Sequence, residues 1–180
     1  MIFHETELND AYIIDLDKLE DERGFFARAF CMDEFSEQGI KFEVAQANTS
    51  YNRFAKTLRG MHYQKDPHGE AKLVRCTRGA IYDAIIDVRP GSSTYMQWIG
   101  VELSDQNYRM LYVPEGFAHG FITLEDETEV SYQVSEFYTP GAEKGIRWND
   151  PSFNVEWPAE PNIISEKDKA WPDFKELISE

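Results

Sequence analysis

The sequence predicts an all-β fold, a sandwich or jelly-roll barrel with short peripheral helices. Three observations lead there. The apolar runs are short and often alternate with polar residues, turn residues recur evenly between them, and helical patterning is confined to two segments. Strands are expected over residues 12–16, 25–30, 71–77, 80–88, 95–103, 110–113 and 129–134. Turn chemistry separates them at Arg78-Gly79, Pro90-Gly91, Ser104-Asp-Gln-Asn107 and Pro114-Glu-Gly116. One short helix is expected over 33–38, ending at Gly39. A second is expected over 165–178, because Ser165-Glu-Lys-Asp168 reads as a capping box. A barrel of short strands can enclose a ligand cavity lined by alternate residues of each strand.

The 180 residues, 42% hydrophobic, suit one domain spanning 1–180. With 33 acidic against 18 basic residues the net charge is −15. Such a field repels phosphate backbones and anionic bilayers, so neither nucleic acid nor membrane is an expected partner. A local arginine cluster can still hold a small diphosphate. Two cysteines, Cys31 and Cys76, without zinc-type spacing read as reduced thiols. The N-terminus has no basic region and apolar run of a signal peptide, and the expected location is cytoplasmic.

Five segments carry candidate chemistry. In Thr57-Leu-Arg-Gly-Met-His-Tyr-Gln64, strand alternation puts His62 with Leu58, Gly60 and Gln64, and Arg59 on the other face. Both can serve one site only if a bulge or the length of the arginine brings Arg59 round. His62 is equally readable as a structural histidine. Lys72 shares parity with Val74 and Cys76, and spacing alone favours an edge lysine whose amine reaches solvent. Pro114-Glu-Gly-Phe-Ala-His119 matches the second half of the cupin metal motif, but the His-x-His pair of the first half is missing. His62, His68 and His119 lack ligand spacing, so no metal is expected. Tyr132 shares a face with Val130 and Val134 and can be core or a general acid. Asp168 can close the capping box or orient a histidine.

In order and spacing, these segments resemble the dTDP-4-dehydrorhamnose 3,5-epimerase family, the RmlC-type cupins, from about Ala11 to Trp171. The motifs are Asp21-Glu-Arg-Gly-Phe-Phe26, Gln46-Ala-Asn48, Leu58-Arg-Gly-Met-His-Tyr-Gln64, Lys72-Leu-Val-Arg75, Val113-Pro-Glu-Gly-Phe-Ala-His-Gly-Phe121, Tyr132, Tyr138, Trp148-Asn-Asp150 and Ile164-Ser-Glu-Lys-Asp168. The resemblance implies a cupin-type jelly-roll β-barrel that epimerises a nucleotide-linked 4-keto-6-deoxyhexose without metal or cofactor. It implies His62 as base, Asp168 as its orienting partner, Lys72 as enolate stabiliser and Tyr132 as acid on the opposite face. It puts Arg23, Phe26, Arg28, Gln46, Asn48, Arg59, His119, Tyr138, Glu143 and Lys167 at substrate-binding positions. It further implies a homodimer with exchanged N-terminal strands, in which Arg23 and Arg28 complete the neighbour's pocket.

Two positions depart from the family pattern. Arg28 stands where the family usually carries glutamate, and Ala47 where it usually carries aspartate. The first reverses local charge and replaces an acceptor by donors. Altered nucleotide-base recognition is the corresponding expectation, with a C3-only or C5-only epimerase or a metal-binding cupin as rival readings.

Overall fold

A computed structural model describes residues 1–177. Its strands are β1 (Ile2–Glu5), β2 (Tyr12–Asp15), β3 (Leu19–Asp21), β4 (Gly24–Phe26), β5 (Gln46–Asn52), β6 (Thr57–Gln64) and β7 (Lys72–Arg78). They continue with β8 (Ala80–Asp87), β9 (Trp98–Ser104), β10 (Met110–Val113), β11 (Phe117–Thr123), β12 (Thr128–Val134), β13 (Glu143–Gly145) and β14 (Ile163–Ile164). The helices are α1 (Met32–Glu37), α2 (Glu166–Lys169) and α3 (Phe174–Leu177). None is long and apolar enough to cross a membrane.

Two sheets make the body. One runs β1-β2-β10-β7-β12-β5, and the other runs β13-β6-β11-β8-β9 with β14 added beside β6. Both are antiparallel apart from the β14–β6 pairing. Strand alternation decides which residues meet between them. Val74, Leu111 and Val130 from the first sheet pack with Ile81, Ile85, Leu103, Phe117 and Phe121 from the second. The opposite parity faces outward and is covered. Leu73, Met110 and Tyr112 pack beneath Phe35 of α1 with Phe42, while Met61, Ala84, Ile86 and Ala118 pack beneath Phe153 and Phe174. This double covering explains why β8, β10 and β11 are buried on both faces.

The all-β, jelly-roll expectation therefore holds, with corrections at element level. Segment 25–30 is a strand only to Phe26. Phe30 leaves the hairpin to pack edge-on and tilted against Phe35 and Phe42, where aromatic burial outweighs further pairing. Segment 95–103 joins its sheet only at Trp98, because Ser92 and Thr94 are turned back onto buried Asp87. The expected helix over 165–178 is two short helices. Pro172 lacks the N–H an uninterrupted helix requires and disfavours the helical conformation at Trp171. Residue 178 lies outside the described residues. β5 was not expected, since Gln-Ala-Asn-Thr-Ser-Tyr-Asn has no apolar alternation. The cysteines are unbridged, and burial pushes the Cys76 thiol up to about 12.

One feature of β6 sets the site. Against β11, His62 pairs with His119 but Arg59 pairs with Phe121, so β6 spends three steps where β11 spends two. The extra residue is a bulge at Gly60-Met61. It restores Arg59 and His62 to one face, which simple alternation forbids. Gly60 adopts φ 123°, and a Cβ there would lie 2.5 Å from the Gly120 Cα and 2.8 Å from the His119 carbonyl oxygen. Gly60→Ala is therefore expected to cost at least about 2 kcal/mol and to displace His62. A wild-type melting temperature in that variant would refute the close approach.

Candidate active site

The bulged face of β6 looks into a cleft between the two sheets with two adjoining lobes. The larger, about 390 Å³, is lined by Arg59, His62, Lys72, His119, Tyr132 and Asp168, with Thr49, Ser50, Tyr51 and Phe121. The smaller, about 260 Å³, shares His62, Lys72 and Tyr132 and adds Gln46, Asn48, Tyr138 and Glu143. Residues spread over more than a hundred positions of sequence thus meet in one space.

His62 is held from behind. Its Nε2 lies 2.6 Å from Asp168 Oδ1, and the second carboxylate oxygen accepts the Gly60 N–H at 3.4 Å. Asp168 is buried. Burial raises its affinity for a proton, but the His62 hydrogen bond and charge, with the Gly60 and Ser165 contacts, outweigh burial and hold the carboxyl below its ordinary value. An ionised Asp168 accepts hydrogen bonds only. It therefore assigns the proton of neutral His62 to Nε2 and leaves Nδ1 with a lone pair. The Ser165 cap and the histidine partner turn out to be compatible roles. The backbone N–H of Asp168 donates to Ser165 Oγ at 3.0 Å, which frees the side chain for His62.

Lys72 is the clearest correction among the site residues. It is not at an edge, because β7 lies between β10 and β12. It is 7% exposed, with Nζ 3.0 Å from Glu70 Oε1. Its inward parity beside Val74 keeps the amine from the outer surface, so it sits in the cleft with a carboxylate partner. Tyr132, opposite Val74 on β12, points into the same space. Its phenol pKa is raised by burial and by the nearby Glu70 carboxylate, partly offset by Arg59. It is a proton donor at neutral pH.

A second histidine–carboxylate pair stands beside the first. His119 Nε2 is 2.6 Å from Asp83 Oδ1, both groups being buried. Sequence reading passed over Asp83. The available signal was a carboxylate at the inward parity of Ile81 and Ile85 in an otherwise apolar strand, a position that demands a partner. Glu70 and Asn52 were also missed. Asn52 Oδ1 accepts from Arg59 Nε at 2.7 Å.

The remaining expected binding residues divide. Gln46 Oε1 accepts the Tyr138 backbone N–H at 2.8 Å, and Lys167 pairs with Glu143 beside the Trp171 ring. The Glu143 hydrogen bond raises the Lys167 pKa. Arg23 and Phe26 lie on the β3–β4 hairpin, outside both main sheets, and Arg28 follows it. None of the three lines the cleft of its own chain. Arg23 pairs with Asp21, and Arg28 Nε lies 3.6 Å from Glu34. Ala47 does not face the cleft either. It projects from the opposite face of β5 to Gln46 and Asn48, onto a cavity lined by Phe30 and Arg75. His68 is outside both lobes, with Nδ1 3.5 Å from Thr139 Oγ1.

The arrangement suits proton transfer at a carbon acid: a tethered imidazole, a buried ammonium and a protonated phenol around one cavity. The family model and the curated relatives agree on one group. The family model described as dTDP-4-dehydrorhamnose 3,5-epimerase matches residues 5–176. The protein of that name from Shigella flexneri is 44% identical over 164 residues, covering 91% of this chain and 90% of its own. The crystal structure of the one from Elizabethkingia anophelis superposes with TM-score 0.94 at 38% identity, covering 98% of this chain and 97% of that one. The one from Bacillus anthracis, solved with TDP and PPi bound, superposes with TM-score 0.92 at 40% identity, covering 96% and 99%.

The Asp168 geometry carries a stability prediction. A carboxyl whose pKa is lowered on folding stabilises the native state above its unfolded pKa, and the effect is lost as pH falls through the folded one. Asp168→Asn is expected to cost about 2 kcal/mol at pH 7. The gap to wild type should close on acidification below the ordinary carboxylate range. Melting curves across that range decide it, and a gap independent of pH would contradict the ionised pairing.

Proposed function

The chain belongs to the dTDP-4-dehydrorhamnose 3,5-epimerase family, and we propose that His62 is the base with which it epimerises its substrate. The enzyme is an isomerase acting on a dTDP-linked 4-keto-6-deoxyhexose. Protons on C3 and C5 of such a sugar are weakly acidic, because the C4 ketone delocalises the resulting carbanion. Removing one needs a base poised near neutral pH, which suits an imidazole.

The observation that carries the assignment is the 2.6 Å contact between His62 Nε2 and Asp168 in a cleft shared with Lys72 and Tyr132. Nδ1 takes the proton, and Asp168 stabilises the imidazolium that forms. Lys72 donates to the developing enolate oxygen, its ammonium oriented by Glu70. Tyr132 supplies the proton to the opposite face, which inverts the centre. Its half-buried setting beside the Glu70 carboxylate raises its pKa and keeps that proton in place until then. Arg59 and His119 contact the diphosphate side of the larger lobe, Gln46, Asn48, Tyr138 and Glu143 contact the substrate from the smaller one, and Lys167 reaches it from beside Glu143. Neither metal nor cofactor enters this scheme.

Arg23, Phe26 and Arg28 serve the pocket of a second copy. In support, their hairpin stands apart from both sheets and exposes Leu19 and Phe26, 67% and 68% accessible, more apolar surface than an isolated hairpin carries without use. Arg28 then meets the nucleotide from the neighbouring chain, while Ala47 faces away from it, so of the two departures only Arg28 bears on base recognition.

Two experiments test this reading. In heavy water, the enzyme should place deuterium at C3 and C5 of the keto sugar. His62→Ala should lower exchange by about 10³-fold or more with the fold intact, and Asp168→Asn less severely. Near-normal exchange in His62→Ala would remove the base assignment. For the dimer, Arg23→Ala and His62→Ala chains, each inactive alone, should recover activity when co-refolded, since one of the two mixed pockets then has both residues intact. No recovery in a verified mixed dimer would sink the exchanged arrangement.

A further inference from the structure

Arg59 is held in place by a neutral side chain. Its Nε donates to Asn52 Oδ1 at 2.7 Å, and Nη2 reaches the Tyr51 carbonyl at 3.5 Å. Two of the five guanidinium N–H groups are thereby engaged, leaving three for the larger lobe that Arg59 lines. Asn52 itself is only 2% exposed, at the end of β5 opposite Thr128. Its Nδ2 donates to the carbonyls of Thr128 and Ser50, both at 3.3 Å. With the amide nitrogen committed to two carbonyls, Oδ1 can only face the arginine.

Six other arginines of this acidic chain are held in a different way. Arg23, Arg28, Arg78, Arg89, Arg109 and Arg147 each face a carboxylate. An aspartate at 52 would hold Arg59 more strongly, but it would also cancel the charge that attracts an anion. An amide fixes the same geometry and leaves the full positive charge directed at the cleft. A buried, fully satisfied amide costs little and loses little when the anion leaves.

We propose that Asn52 is a positioning residue that fixes the Arg59 guanidinium for the substrate diphosphate while leaving its charge uncancelled. The inference rests on the reading of Arg59 as a diphosphate contact, and the experiment separates the two. Thymidine diphosphate binding is measured by calorimetry for wild type, Arg59→Ala, Asn52→Asp and Asn52→Ser, together with kcat and KM. Asn52→Asp should weaken binding about tenfold and raise KM alike, with kcat within about twofold of wild type, because charge is lost from binding and not from the proton transfer. Asn52→Ser, too short to reach Nε, should weaken binding by about threefold without adding charge. The serine variant also carries the test if the second aspartate oxygen, facing the Thr128 carbonyl, prevents folding. If Arg59→Ala weakens binding and both folded Asn52 variants bind like wild type, the positioning role is wrong and the diphosphate reading stands. If Arg59→Ala binds like wild type, both are wrong. A fall in kcat at unchanged KM would likewise overturn the proposal.

Discussion

The back-to-back approach of Gly60 on β6 and Gly120 on β11 is the constraint on which the site depends. With no side chain at either position, the strands come close enough for β6 to carry one extra residue without leaving the sheet. That residue changes the parity of everything before it. Arg59 and His62 come to one face, Met61 turns outward into the covered cluster beneath Phe153 and Phe174, and the Gly60 N–H is aimed at Asp168. Any side chain at either glycine would meet backbone on the opposite strand, and backbone in a sheet cannot give way as a flexible side chain can.

Around that bulge the protein handles charge in three different ways. Histidines are tied to buried carboxylates, so their free nitrogens and orientation are settled before any ligand arrives. The buried lysine keeps a carboxylate partner, which makes its burial tolerable. Arg59 is held by an amide. In a chain of net charge −15, an anionic substrate meets a repulsive surface, so the positive groups that receive it have to be concentrated in the cleft. Partial burial strengthens them, because a charge screened less by solvent acts more strongly on a bound anion.

The C-terminal segment completes the cleft from outside the sheets. Ser165 caps α2, which turns Asp168 toward His62. Trp171 then fills the space above Gly145, the β13 residue paired with His62. The helix ends there because Pro172 cannot continue it. A segment expected as one helix from its capping-box start is thus a cap, a carboxylate and an aromatic wall delivered by one short turn.

The sequence by itself determined the all-β class, most of the apolar strands and the turn positions and, through ordered motifs, singled out His62, Lys72, Tyr132 and Asp168, which line one cleft. These were legible because apolar alternation and turn chemistry are local, and because short motifs keep their order along the chain. It did not reveal polar β5, whose stability comes from pairing with β12 and not from its own composition. Nor did it reveal that Lys72 is central, that Asp83 faces His119, that Asn52 holds Arg59 or that Ala47 faces away from the cleft. Only the tertiary structure decided these, because strand order, register and one bulge determine which side chains meet, and none of the three is encoded within a single segment.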